Sequence, residues 1–133
     1  MTPVTILFVD DDAIIAMAAV EMLGNLGHIV IEAHSGRKAL EILRDGRPVD
    51  LLVTDYAMRE MSGLELARAA RELRPNLPIL IATGYAELPS GDSEFPRLLK
   101  PYQQKDLASQ IALSLETRQE AAQINHGADP RQS

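Results

Sequence analysis

Short unbroken apolar runs alternate along this chain with longer stretches in which apolar residues recur at helical spacing. Val4-Thr5-Ile6-Leu7-Phe8-Val9 is nearly all apolar and rich in β-branched residues. That composition predicts a strand covered on both faces, as in a parallel sheet. His28–Ala33, Asp50–Thr54 and Pro78–Thr83 repeat the pattern, and Leu98-Leu99 is a very short fifth run. Between them lie four helical patterns. Ala13–Leu26 carries Ile14, Met17, Ala18, Val20, Met22, Leu23 and Leu26 widely around its face, and Gly36–Arg44 turns Ala39, Leu40 and Leu43 inward. A third pattern holds Leu64, Ala67, Ala70 and Leu73, and the last, Gln103 to about Arg118, has Leu107, Ile111 and Leu115 at steps of four.

Punctuation residues agree with these spans. Asp12 and Ser35 are predicted N-caps, and Ser62 with Glu65 three residues on is a capping box. Gly27 is expected to close the first helix, Asp45-Gly46 the second and Pro75 the third. Strands that alternate with helices predict an α/β fold, a doubly wound five-stranded parallel sheet with right-handed crossovers. The interval between Thr83 and Lys100 is interrupted by Pro89, Gly91 and Pro96. A helix there is expected to be short or replaced by a loop, since proline removes a donor and clashes in a helix interior. Residues 1–118 form one predicted domain, and 119–133 a helix extension followed by a polar tail expected to be disordered.

Composition narrows the function. A chain of 133 residues with 46% apolar residues holds one ordinary core, and no apolar run approaches a membrane span. The absence of cysteine removes disulfides and thiolate metal sites, which suits a reducing, cytoplasmic compartment. No basic stretch precedes the first apolar run, so no secretory signal is expected. A net charge of −6 argues against nucleic acid as a partner, because phosphate backbones require clustered Lys and Arg.

The candidate chemistry lies at the strand ends. In such sheets the ligand site lies beyond the carboxyl ends of the strands, and there stand Asp10 and Asp11, Asp55, Thr83 and Lys100. Converging carboxylates repel one another unless a cation joins them. Mg²⁺ prefers a few oxygen ligands plus water, which suits this set. Asp55 is then an oxygen nucleophile able to form an acyl phosphate. Lys100 offers a fixed positive charge and Thr83 a hydroxyl to the phosphoryl oxygens. Asp12 reads as a helix cap rather than a ligand. His28, His34 and His126 read as surface residues, and Arg68, Arg71 and Arg74 as the solvated face of the third helix.

Asp10-Asp11, Asp55, Thr83-Gly84 and Lys100-Pro101, in this order and at these strand ends, resemble the receiver domain of bacterial two-component response regulators. The resemblance spans about residues 4–118 and implies the flavodoxin-like strand order 2-1-3-4-5. It implies that Asp55 is the phosphorylated residue, that Asp10, Asp11, Asp55 and the Ala57 carbonyl serve the metal, and that Thr83 and Lys100 contact the phosphoryl group. It also implies a cis peptide before Pro101. The implied donor is a phosphohistidine on a histidine kinase or a histidine phosphotransfer protein. Output is expected through protein contact from a monomer or weak dimer, without enzymatic turnover on other substrates.

Departures from that pattern concern the readout. After the acceptor the family commonly has Met-Pro-Gly or similar, whereas Met58-Arg59-Glu60-Met61-Ser62-Gly63 lacks the proline and adds a charge pair. Arg97 occupies the position, three before the lysine, that usually holds a switch aromatic. Tyr85, two after Thr83, is a candidate to take over part of that ring's role. Two competing readings stand beside the receiver. A small Asp-nucleophile phosphatase is opposed by Ile14 at the last position of its Asp-x-Asp-x-Thr/Val pattern and by the lack of room for a cap. A non-phosphorylated interaction module is opposed by the presence of all five site residues.

Overall fold

The computed structural model describes residues 3–84 and 94–127, with side chains through residue 116. Five strands, β1 (Thr5–Val9), β2 (Ile29–Ala33), β3 (Leu51–Asp55), β4 (Ile79–Thr83) and β5 (Arg97–Leu99), form one parallel sheet in the order β2-β1-β3-β4-β5. This is the order the resemblance implies. The helices are α1 (Ala13–Asn25), α2 (Gly36–Arg44), α3 (Gly63–Leu73) and α4 (Gln104–Gly127). Among the described residues no helix lies between β4 and β5. Residues 85–93, which include Tyr85 and most of the interrupted interval, lie outside the described residues.

The sheet divides the core in two. On one face Leu7, Val9, Leu52, Ile79 and Ile81 pack against Ala39, Leu40 and Leu43 of α2 and Leu66, Ala67 and Ala70 of α3. On the other, Ile6, Phe8, Leu51, Val53 and Leu80 pack against Ala16, Ala19 and Leu23 of α1 and Leu107 and Ile111 of α4. Every residue of β3 and β4 is buried, which is why these strands read as unbroken apolar runs. The edge strands are less covered: Ile29 of β2 and Leu99 of β5 are exposed.

Helix ends form where sequence places them. Asp12 accepts from the N–H groups of Ile14 (3.0 Å) and Ile15 (3.2 Å), and Ser62 and Glu65 form the reciprocal capping box. α1 closes in a Schellman turn, His28 N–H to the Leu23 carbonyl (3.1 Å) and Gly27 N–H to Gly24 (2.9 Å), with Gly27 at φ +91°. α4 continues past Arg118 through Gly127, where a helix extension is expected, because nothing from Thr117 to His126 is a helix breaker. No helix among the described residues is long and apolar enough to cross a membrane.

One surface expectation is corrected. His28 is buried, only 6% exposed, because the Schellman turn directs the chain straight into β2 and Val4 donates its N–H to His28 Nδ1 (3.2 Å). Of the α3 arginines, Arg68 and Arg71 are exposed as expected and Arg74 is half-buried, and all three also make contacts. Arg68 forks onto Glu94 (Nε and Nη2 to Oε1, 3.0 and 2.8 Å). Arg71 lies over the buried Phe95 ring and donates to the Leu77 carbonyl. Arg74 donates to the carbonyls of Leu43 (2.9 Å) and Arg47 (2.7 Å). α3 is thereby tied to the α2–β3 loop on one side and to the approach to β5 on the other.

Candidate functional site

The sheet register carries the site residues to one edge. Val9 pairs with Thr54, Asp55 with Ala82 and Thr83 with Leu99, so Asp10, Asp55, Thr83 and Lys100 all emerge at the carboxyl ends of neighbouring strands. Asp10, Asp55 and Thr83 are buried, 3%, 4% and 1% exposed, which is unusual for two carboxylates unless they are partnered. Lys100 Nζ makes a short ion pair with Asp55 Oδ1. The lysine's N–H donates to the Thr83 carbonyl (2.9 Å), which fixes its backbone beside β4; the Lys100-Pro101 peptide is cis. Thr83 Oγ1 donates to the Gly84 carbonyl (3.1 Å).

The acids after β1 have separate environments. Asp10 Oδ1 accepts the Asp12 N–H (2.9 Å). Burial raises the Asp10 carboxyl above the ordinary range, against the pull of that N–H and of the Lys100 charge. Asp11 is held below the ordinary range, chiefly by the backbone N–H of Arg59 and then by its guanidinium. Both reach the same oxygen, Oδ2, from N (2.9 Å) and Nε (3.3 Å). The sequence places Arg59 only in a charge pair beside the site. Its grip on Asp11, 48 positions away, is new in the structure.

The loop after β3 fixes Asp55 from behind. Tyr56 N–H donates to the Ala82 carbonyl and Gly63 N–H to the Tyr56 carbonyl, both 2.8 Å, and Thr54 Oγ1 donates to the Asp55 carbonyl (3.0 Å). A Cβ on Gly63 would meet the Asp55 carbonyl oxygen at 2.3 Å and Tyr56 Cα at 2.8 Å, so α3 starts close to the acceptor only because that residue is glycine. Within the loop Glu60 has φ +69°. Beside it an open groove of about 600 Å³ is lined by Asp11, Asp12, Ala13, Ile14, Ala57, Met58 and Arg59. Ala57 thus faces the same groove as Asp11.

Tyr102, just past the cis peptide, was not singled out from sequence. Its phenol is pushed up to about 12, by burial first and then by the charges of Asp10 and Asp55. The adjacency of Tyr102 to Lys100-Pro101 is the signal that could have found it. Arg97 lies exposed on β5. Among the described residues no three His, Asp or Glu side chains stand close enough together to enclose an ion as they are now held.

Comparison with known proteins identifies the family. The response regulator receiver domain family matches residues 6–112. The response regulator receiver protein CpdR of Brucella abortus is 39% identical over 111 residues, covering 80% of this chain and 92% of that protein. The sensor kinase CckA of the same organism is also 39% identical, over 119 residues and 84% of this chain, but the match spans only 12% of the kinase. The crystal structure of a response regulator receiver protein from Sinorhizobium medicae superimposes with a TM-score of 0.78 at 35% identity, over 87% of this chain and 97% of that one. The chain therefore belongs to the receiver-domain family of two-component response regulators.

Proposed function

We propose that this receiver domain takes a phosphoryl group onto Asp55 from a phosphohistidine of a histidine kinase or histidine phosphotransfer protein, and signals by protein contact. The observation that supports this most is a buried carboxylate at the end of β3, ion-paired to Lys100 and flanked by Asp10 and Thr83. Burial strips water from Asp55 and disfavours its charged form. The adjacent Lys100 charge opposes this and favours the carboxylate, the nucleophilic form.

In the transfer, an Asp55 carboxylate oxygen bonds to phosphorus as the phosphorus–nitrogen bond breaks. The electron pair of that bond returns to the donor's imidazole, and an aspartyl phosphate remains. Lys100, already against Asp55, donates to one phosphoryl oxygen, and Thr83 redirects its hydroxyl from Gly84 to another. Asp10, Asp11, Asp55 and the Ala57 carbonyl are hard oxygen donors and fit Mg²⁺, whose preference is for oxygen ligands with several retained waters. When bound, the ion supplies neutralising charge to the transferring phosphoryl oxygens. The Asp10 carboxyl, pushed up by burial, is the group that such a cation would most change. Phosphorylation then replaces the single carboxylate charge of Asp55 with a phosphoryl group of up to about two charges, a net gain of about one, enough to bias a neighbouring loop. A cytoplasmic setting fits a kinase-facing acceptor without cysteine.

Incubation with acetyl phosphate and Mg²⁺, read by intact-protein mass, is expected to add one phosphoryl group per chain. Asp55→Asn is expected to remove that label. A label that persists in Asp55→Asn, or many turnovers on phosphomonoesters, overturns the proposal.

A further inference from the structure

We propose that Arg59 is an internal counter-cation that competes with a divalent metal for Asp11, so that metal occupancy and the form of the β3–α3 loop are two states of one switch. The inference rests on the metal reading of Asp11 given above and adds to it a specific competitor from this chain.

The contact has two parts with different consequences. The Arg59 backbone N–H donates to Asp11 Oδ2 at 2.9 Å, which fixes where residue 59 stands. Its Nε donates to the same oxygen at 3.3 Å, which brings the charge. A proline at position 59 would lack the first donor and the second. Asp11 is thus occupied by a cation of the protein's own.

The loop bears the cost of this arrangement. Glu60, the next residue, has φ +69°, a conformation that a non-glycine side chain adopts under constraint. Met61 N–H closes a tight turn onto the Arg59 carbonyl (2.7 Å), and Met58 N–H another onto Tyr56 (3.1 Å). Asp11 is therefore one of the anchors that holds a strained turn. When the carboxylate is withdrawn, Arg59 loses both bonds and the turn loses that anchor.

Exchange is feasible because the pair is weak. The Arg59 side chain is 87% exposed, so its departure to water carries little desolvation change, and salt screens the attraction. A metal approaching Asp11 meets both a carboxylate already in use and a positive charge beside it. Both lower metal affinity; removing the guanidinium abolishes the charge and the Nε bond and leaves the backbone N–H bond in place.

The test measures Mg²⁺ affinity by titration calorimetry and by amide NMR shifts in low salt, on the wild type, Arg59→Gln, Arg59→Lys and Arg44→Gln. Arg59→Gln keeps the backbone donor and removes the charge, and is expected to tighten Mg²⁺ binding about two- to fivefold. Arg59→Lys keeps the charge and is expected to stay near wild type. Arg44→Gln makes the same net-charge change at the far end of α2 and is expected to leave affinity unmoved. In the wild type, saturation with Mg²⁺ is expected to shift the Arg59 Nε–H and backbone amide resonances together. Equal affinity in wild type and Arg59→Gln, with the Nε–H resonance unmoved, overturns the competition while the metal reading stands. An Arg44→Gln shift as large as that of Arg59→Gln overturns it too, as bulk charge would then be the cause. No Mg²⁺ binding by any of the four overturns the metal reading itself.

Discussion

Gly63→Ala tests how closely α3 is built against the phosphoryl-acceptor strand. The added Cβ would lie 2.3 Å from the Asp55 carbonyl oxygen, 2.8 Å from Tyr56 Cα and 3.0 Å from Asp55 C. Ordinary contact begins near ~3.5 Å, so α3 must retreat by roughly 1 Å or the β3 exit must bend. All three opposing atoms are backbone, so no rotamer change relieves the overlap. Overpacking typically costs about 1–3 kcal/mol, and backbone against backbone belongs at the upper end. The loss of unfolded-state freedom on Gly→Ala offsets about 0.4–1 kcal/mol of that. A net loss of about 1.5–2.5 kcal/mol follows, a sizeable share of a domain stability of ~5–15 kcal/mol. Urea unfolding followed by far-ultraviolet circular dichroism measures it directly. Gly24→Ala is the matched control: its Cβ would have nothing within 4 Å, so the same substitution in α1 is expected to stabilise by about 0.5–1 kcal/mol. The clash falls on Asp55 itself, so Gly63→Ala is also expected to slow labelling by acetyl phosphate, whereas Gly24→Ala is not. Equal midpoints for Gly63→Ala and wild type, with Gly24→Ala behaving as expected, would falsify the close-approach argument.

Two further outcomes follow from residues outside the site. His28 is buried and neutral, with Nδ1 accepting from Val4, and burial lowers its pKa from the ordinary 6.5. The unfolded chain therefore takes up the proton first: stability is full above about pH 6.5 and is lost as pH falls from there toward the folded-state pKa. His28→Gln removes this component, so the wild-type urea midpoint should fall more than the variant's between pH 7.5 and 5.5; parallel curves refute the assignment. Phe95 is buried in the core beneath Arg71, so Phe95→Ala is expected to cost about 3–5 kcal/mol. Arg71→Ala should cost about 1–2 kcal/mol for its ring contact and carbonyl hydrogen bond. Thermal unfolding that shows no loss for either variant removes α3 as the anchor of the β5 approach.

The fold was legible because β1, β3 and β4 are covered on both faces and so had to be written as unbroken apolar runs, each ended by a polar residue. Asp10, Asp55 and Thr83 were legible for the same reason, since a polar group at a buried strand end is conspicuous. Less legible were contacts whose partners are distant in sequence. The three-residue spacing of Arg68, Arg71 and Arg74 locates one helix face, but Glu94, Phe95 and the Leu43 and Arg47 carbonyls arrive from other elements. His28 looked like surface because its burial depends on the Schellman turn before it and on a donor from Val4. The end of the α4 extension was not legible, because a polar sequence without glycine or proline limits burial rather than helix formation.

These contacts bear on where a change at Asp55 can be expressed. The approach to β5 is held by Phe95 in the core and by Arg68 on Glu94, and Lys100 is pinned through its N–H to Thr83. On that side, a shift at the strand ends works against packing worth several kcal/mol. The β3–α3 loop is held differently: one exposed arginine on Asp11, a turn with a strained Glu60, and a capping box at its end. An exposed ion pair of this kind contributes about 1 kcal/mol or less. A change of about one charge at Asp55, a few residues away, is worth roughly 1–2 kcal/mol over ~10 Å at an effective dielectric of ~20 and so matches or exceeds that. The β3–α3 loop is accordingly the weaker of the two restraints, and the first conformational response to charging Asp55 is expected there, ahead of β5 and Arg97.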